Sequence, residues 1–256
     1  MGTPTNLTTL QMVKETAAAL KKNDFDVIFE QYQLSGTRED YGYAFTFNKF
    51  TDETFYPKYD MIPRGQYGDD GAYQMFHKFN YGRQPFNLRQ RLEECGVKID
   101  TSLATSVQQM FYASNISEVP TIDMTKCTGS RWSTQQPFSN AQYLKTVEKI
   151  IVAPETYFSI YSFASAWELE NIIVEGTIAG GNGLDLRYSK KLTKDSITSF
   201  INALSTETAP YSVSFSLKAV NQAFETSDGA NDGSTSVEWE ALIATRSLWT
   251  IVLGEV

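Results

Sequence analysis

The chain has 256 residues, a net charge of −8 and a sequence pI near 4.8, with 13% aromatic and only 20% charged residues. So many rings against so few charges describe an ordered chain with a sizeable core, and an acidic surface repels a nucleic-acid backbone. No stretch approaches the ~20 apolar residues that span a bilayer, so neither nucleic acid nor membrane insertion is expected.

The opening Met1-Gly-Thr-Pro-Thr-Asn6 has neither the basic start nor the apolar core of a secretory signal. Myristoylation at Gly2 would need Ser or Thr where Asn6 stands. Leu10, Val13, Ala17 and Leu20 then fall at helical spacing over residues 8–22, with Thr8 or Thr9 as N-cap and Lys21-Lys22 at the C-terminal end. This predicts one amphipathic helix within residues 1–35. Its apolar stripe needs a partner, and two readings stay open: a cap on the body that follows, or an anchor that bundles with copies of itself.

Residues 36–190 are read as one repeating body. Three phrases carry the period: Phe111 to Val119, Phe138 to Val147 and Phe163 to Ile172, with leading rings 27 and 25 positions apart and aliphatic residues at +6 and +9 in the last two and at +5 and +8 in the shorter first. A period in the twenties with one aromatic turn and one short strand per unit predicts a leucine-rich-repeat-like solenoid, whose units bury their apolar faces by stacking. Ala44-Phe45, Met75-Phe76 and Phe86-Asn-Leu88 read as divergent first coils, and Tyr67-Gly-Asp-Asp-Gly-Ala-Tyr73 as a polar loop projecting from them. Candidate strands are Val119–Ile122, Val147–Val152, Ile172–Val174 and Leu184–Tyr188.

From residue 191 to 256 the texture changes. Thr193 opens a helix with the stripe Ile197, Phe200, Ile201 and Leu204. A strand over Ser212–Leu217, helical turns over Ala219–Phe224 and Val237–Ala244, and a strand over Trp249–Leu253 follow. Together they are expected to form a mixed α/β cap over the last open edge of the stack. The predicted fold class is therefore an α/β solenoid with an N-terminal helix and a C-terminal cap.

Three stretches carry a family resemblance. Gly36-Thr-Arg-Glu-Asp-Tyr41 with Ala44-Phe45, running on to Phe50-Thr-Asp-Glu-Thr-Phe55, is the first; the Phe-led coils are the second; Leu192-Thr-Lys-Asp-Ser-Ile197 through Leu204 is the third. Over roughly residues 36–256 they resemble the BspA-type leucine-rich-repeat proteins encoded by gut bacteria and their phages and prophages. The resemblance implies a BspA-type solenoid with an adhesion or virion-surface role and no chemistry of its own. It implies a phage particle assembled in the host cytoplasm, or alternatively the bacterial cell surface, as its place. Expected partners are a host-cell surface protein or glycan, other virion proteins through residues 1–35, and a second copy of the chain. A purely structural decoration protein and a bacterial adhesin are the alternatives, with a glycan hydrolase the remotest.

Catalytic chemistry finds little to work with. The single histidine, His77, has no nucleophile elbow to serve. Asp228 to Gly233 brushes against a calcium loop but places Ala230 and Trp239 where ligands belong. The acidic pairs Glu39-Asp40, Asp69-Asp70 and Glu93-Glu94 are neighbours in sequence, which says nothing of the separation across a sugar that glycoside hydrolysis needs. Gly180-Gly-Asn-Gly183 lacks the Gly-Lys-Ser/Thr of a phosphate loop. Cys95 and Cys127 match no zinc spacing and read as free thiols. No cofactor is expected. The predicted binding residues are rings and a cation in polar loops, Tyr67, Tyr73, Arg131 and Trp132, since ring faces beside hydrogen-bonding groups suit sugar or protein recognition.

Overall fold

The computed structural model describes residues 47, 50–53, 55–57, 60–63, 71–128, 133–181, 183–207, 211–224 and 236–256. The predicted helix over 8–22, with the whole of residues 1–35, lies outside them, as does the calcium-like turn at 228–233.

The first strand and helix among the described residues are β1 (Phe86–Asn87) and α1 (Leu88–Cys95). Asn87 caps the helix, its side chain accepting from Gln90 N at 2.9 Å, and Gly96 ends it in the left-handed conformation at φ 67°. Leu88 and Leu92, one turn apart, bury the inner face. Strands then recur: β2 (Ile116–Val119), β3 (Ile122–Asp123), β4 (Thr146–Val152), β5 (Tyr157–Phe158), β6 (Asn171–Gly176), β7 (Gly180–Gly181) and β8 (Leu184–Leu186). Beyond them come α2 (Lys194–Ala203), β9 (Ser212–Ser216), α3 (Leu217–Ala223), α4 (Val237–Ala244) and β10 (Thr250–Gly254).

Among the described residues every strand pair is parallel. The main sheet orders β1-β2-β4-β3 with β6 on the far side of β4. Its register sets Val119 beside Val147 and Val147 beside Ile172, so buried β-branched side chains line up from layer to layer. Pro120 has no N–H to give to the ladder, and there the layer splits into β2 and β3. The Glu148 carboxylate enters the gap, accepting from Thr121 N at 3.0 Å and from its hydroxyl at 3.1 Å.

The chain is thus α/β with short parallel sheets, and the predicted leucine-rich-repeat solenoid of BspA type is corrected on three counts. The described strands fall into three separate sheets of five, three and two strands. Helices do not recur once per layer: the described residues hold four, and none lies between Cys95 and Lys194. The layers are also unequal, since the steps from Phe76 to Phe111, Phe138 and Phe163 are 35, 27 and 25 residues, and layers of such different length cannot repeat one path. What the spacing in sequence detected is a column of rings. Phe47, Phe76, Phe111, Phe138 and Phe163 stack with centroids 5.1, 5.5, 5.6 and 5.2 Å apart and planes within 25° of one another. Phe200 meets Phe163 edge-on at 88° and ends the column.

The column is built by an unusual backbone. Gln74 and Lys78 flank Phe76 at positive φ, as Gln109 and Ala113 flank Phe111 and Gln136 and Asn140 flank Phe138. Each such non-glycine residue costs about 1–2 kcal/mol. The alternation of hand lets every second N–H point at the next layer: Phe76 donates to Met110 O at 2.8 Å and Phe111 to Pro137 O at 2.8 Å. Side chains continue the pattern, with Gln74 Nε2 donating to Gln109 Oε1 and Gln109 Nε2 to Gln136 Oε1 at 2.9 Å.

Helix α2 covers the edge that β6 leaves open. Ile172 N donates to Ser196 Oγ at 3.0 Å and Val174 N to Ser199 Oγ at 2.7 Å, so two hydroxyls one helical turn apart stand in for a strand. Behind α2, Phe200, Phe215, Trp239 and Phe224 continue the apolar core through T-shaped and tilted ring contacts, and Trp249 Nε1 is tied to Ser205 O at 2.8 Å.

Candidate functional site

Of the four predicted binding residues only Tyr73 lies among the described residues; Tyr67, Arg131 and Trp132 are outside them. Tyr73 is half-buried on the turn ladder, where its hydroxyl accepts from Gln74 Nε2 at 3.1 Å. His77 stacks on Tyr112 with ring centroids 5.3 Å apart.

A concavity among the described residues lies elsewhere, at the corner where layers pass from turn to strand. An open depression of about 540 Å³ lies there, lined by Asp52, Glu53, Gly82, Arg83, Gln84, Asn115 and Tyr143, which come from four successive layers. Asn80, buried and left-handed at φ 54°, is the pin that shapes it. Its Oδ1 accepts from Asp52 N at 3.2 Å and its Nδ2 donates to Gln84 O at 2.7 Å, so one amide fixes both acidic and basic loops. The turn between needs φ 77° at Gly82, a conformation glycine adopts without strain. Asn115 anchors the other side, donating from Nδ2 to Arg83 O at 2.7 Å.

Arg83 faces both carboxylates, with Nη1 2.8 Å from Glu53 and 3.6 Å from Asp52. The acidic loop is held from behind by Arg91, whose Nη1 donates to Asp52 O at 3.1 Å and Phe55 O at 2.6 Å while its guanidinium lies 4.1 Å from the Tyr56 ring centre. Tyr143, 41% exposed, forms the aromatic wall. Asn140 N donates to Ala164 O, so Trp167 follows on the next layer as Tyr143 follows on its own. Trp167 in turn meets Tyr188 edge-on at 4.9 Å.

Chemically the depression offers carboxylate acceptors, guanidinium and amide donors, and a ring face. That combination suits a hydroxyl-rich ligand, whose polar rim takes hydrogen bonds while its apolar face lies on the ring. Its two acids are neighbours on one loop facing one guanidinium, whereas glycoside hydrolysis sets two carboxyl groups on opposite sides of the scissile bond.

Both cysteines carry free thiols, and Cys95 is half-buried. Cys127 is buried, its Sγ donating to Ala104 O at 3.3 Å, and burial, aided by the nearby Asp123 charge, pushes the thiol up to about 12. Among the described residues no three His, Cys, Asp or Glu side chains gather to hold a metal, and no helix is long and apolar enough to cross a membrane.

Sequence reasoning missed this corner because no single stretch contains it. The local signals were Tyr81-Gly-Arg83 ahead of Pro85, a glycine turn bearing a cation, and Asp52-Glu53 within the phrase Phe50 to Phe55. Comparison of the chain with protein families, curated proteins and solved structures finds no match.

Proposed function

We propose that this chain is a non-enzymatic recognition protein that holds a glycan of a host cell surface in the corner depression between Asp52 and Tyr143. The observation that carries the reading is the pairing of a half-exposed ring, Tyr143, with a preset rim of acceptors and donors. The rim is held by buried amides, Asn80 and Asn115, so little order has to be gained on binding. A place on the surface of a phage particle accords with the resemblance of its phrases to phage-encoded surface proteins. In that setting the layered body serves as a rigid stalk for the site, and residues 1–35 serve attachment to other virion proteins.

The test is binding of the full chain to an array of purified bacterial surface glycans, followed by titration calorimetry on those retained. Tyr143→Ala and Arg83→Ala are each expected to weaken binding about tenfold or more, as lost ring and charge-assisted contacts do. Retention of no glycan, or unchanged affinity in both variants, refutes the proposal. Release of new reducing ends from a bound glycan refutes its non-enzymatic part.

A further inference from the structure

We infer that the corner continues past Tyr143 into a second sugar subsite at Trp167, so that the glycan held in the depression is an oligosaccharide chain lying along the layers and not a single terminal sugar. This rests on the reading of the depression as a glycan site. Three successive layers turn the corner in the same way. Ala141 N donates to Phe138 O at 3.2 Å and Leu144 N to Ala141 O at 3.1 Å. Ala166 N and Leu169 N repeat these bonds to Phe163 O and Ala166 O, and Ser189 N and Leu192 N repeat them to Leu186 O and Ser189 O. Each turn buries its first and last residues and carries the two between them toward the surface: Gln142-Tyr143, Trp167-Glu168 and Lys190-Lys191. The turns are in register. Asn171 N donates to Lys145 O at 3.0 Å across the first two, and the Ser189 hydroxyl donates to Ala166 O at 3.1 Å across the last two.

The strip repeats the chemistry of the depression. Trp167 is 37% exposed, and Tyr188 braces it from the third layer with ring centroids 4.9 Å apart and planes at 79°. The indole is therefore preset, and stacking a sugar on it costs little further order. Polar capacity stands beside it. Among the described residues the exposed Lys191 ammonium gives one of its three donors to Glu168, at 2.6 Å, and the Gln142 amide is exposed on the neighbouring turn. A ring face divided from the next by amide and charged groups suits a hydroxyl-rich chain better than an apolar protein surface. Layer spacing distinguishes a chain from a terminal sugar. Phe138 and Phe163 stack at 5.2 Å, close to the length of one pyranose in an extended chain, so a sugar on Tyr143 sets its neighbour over the layer that carries Trp167. Trp167 is not among the residues lining the depression, so a sugar seated there alone gains nothing from it.

Titration calorimetry on the full chain tests this with fragments of one to six sugars cut from a glycan retained on the array. Affinity is expected to rise about tenfold or more between the shortest fragment bound and four sugars, as a second stacked ring supplies. Trp167→Ala should abolish that rise and leave the shortest bound fragment within about twofold of wild type, whereas Arg83→Ala should weaken every length. Tryptophan emission gives an independent reading if the alanine variant folds poorly. Trp239 and Trp249 are buried, so the four-sugar fragment should shift the emission of the wild type and not that of Trp167→Phe, which keeps a ring in place. Affinity that does not grow with length, a rise that survives Trp167→Ala, or an emission shift that survives Trp167→Phe overturns the inference and leaves the depression standing as a glycan site. An array that retains no glycan overturns both.

Discussion

Replacing Ser196 with alanine should destabilise the protein even though it puts the best helix former into a helix. Ser196 is 1% exposed and its hydroxyl makes two bonds across the sheet edge, accepting from Ile172 N at 3.0 Å and donating to Glu170 O at 3.0 Å. Without it the buried Ile172 N–H loses its partner, which costs about 1–3 kcal/mol, whereas Glu170 O keeps the Thr193 N–H at 2.9 Å. Helix propensity returns about 0.5 kcal/mol. A net loss of roughly 0.5–2.5 kcal/mol should therefore appear. Ser199 makes the matching bonds to Val174, at 2.7 Å from its N and 3.2 Å to its O, but sits only half-buried, so water can replace its hydroxyl. Ser199→Ala should cost no more than about 1 kcal/mol. Urea denaturation of both variants measures the two losses, and amide exchange at Ile172 locates the first. A neutral or stabilising Ser196→Ala would show that the hydroxyl does not stand in for a strand.

Two further outcomes are expected. Burial raises the Glu255 carboxyl, but the Lys218 N–H, the Ser216 hydroxyl and the Lys190 ammonium outweigh it and hold the group below its ordinary value of 4.5. A depressed carboxyl contributes stability that is full above the unfolded value and is lost as pH falls through the folded one. The wild type should thus lose stability relative to Glu255→Gln in acid-range melts, and parallel melting curves from neutral pH to pH 3 would refute this. For the cysteines, a native-state thiol titration with a disulfide reagent should count no more than Cys95, because Cys127 is buried and held protonated. Both should react once the chain is unfolded in denaturant, and fast native labelling of Cys127 would contradict its burial.

The residues that made the fold legible are those whose neighbours are near in sequence. Ile197, Phe200 and Ile201 announce a helix because helical contacts are local, and α2 lies where the stripe places it. Strands β4, β6 and β10 follow from short β-branched runs, and β9 from its alternation, for the same reason. The solenoid reading failed at the next level. Matching Phe111, Phe138 and Phe163 in sequence correctly pairs their rings, yet ring stacking constrains one point per layer and leaves the rest of each path free. Pro120, a missing donor, and α2, a helix in a strand's place, are departures that a spacing argument cannot see. Helix α1 escapes the sequence reading although Asn87 and Gly96 bracket it as cap residues, because Phe86-Asn-Leu88 also fits a coil phrase.

The site was less legible than the fold for a related reason. Its working groups sit at 52, 53, 83, 84, 115 and 143, one or two from each layer, so no window of sequence holds more than a fragment. Loop composition alone points to Tyr67, Tyr73, Arg131 and Trp132, which are conspicuous rings and cations with no statement of what faces them. The depression depends instead on inconspicuous amides. Asn80 joins the Asp52 loop to the Gln84 loop, and Asn115 holds Arg83 from the following layer. Such residues are invisible before the layers are stacked, since their partners lie 28 and 32 positions away. In a layered chain the stacking offset decides which distant groups become neighbours, and here those offsets vary from layer to layer. A polar corner therefore arises where the offsets bring an acid loop, a base and a ring into line.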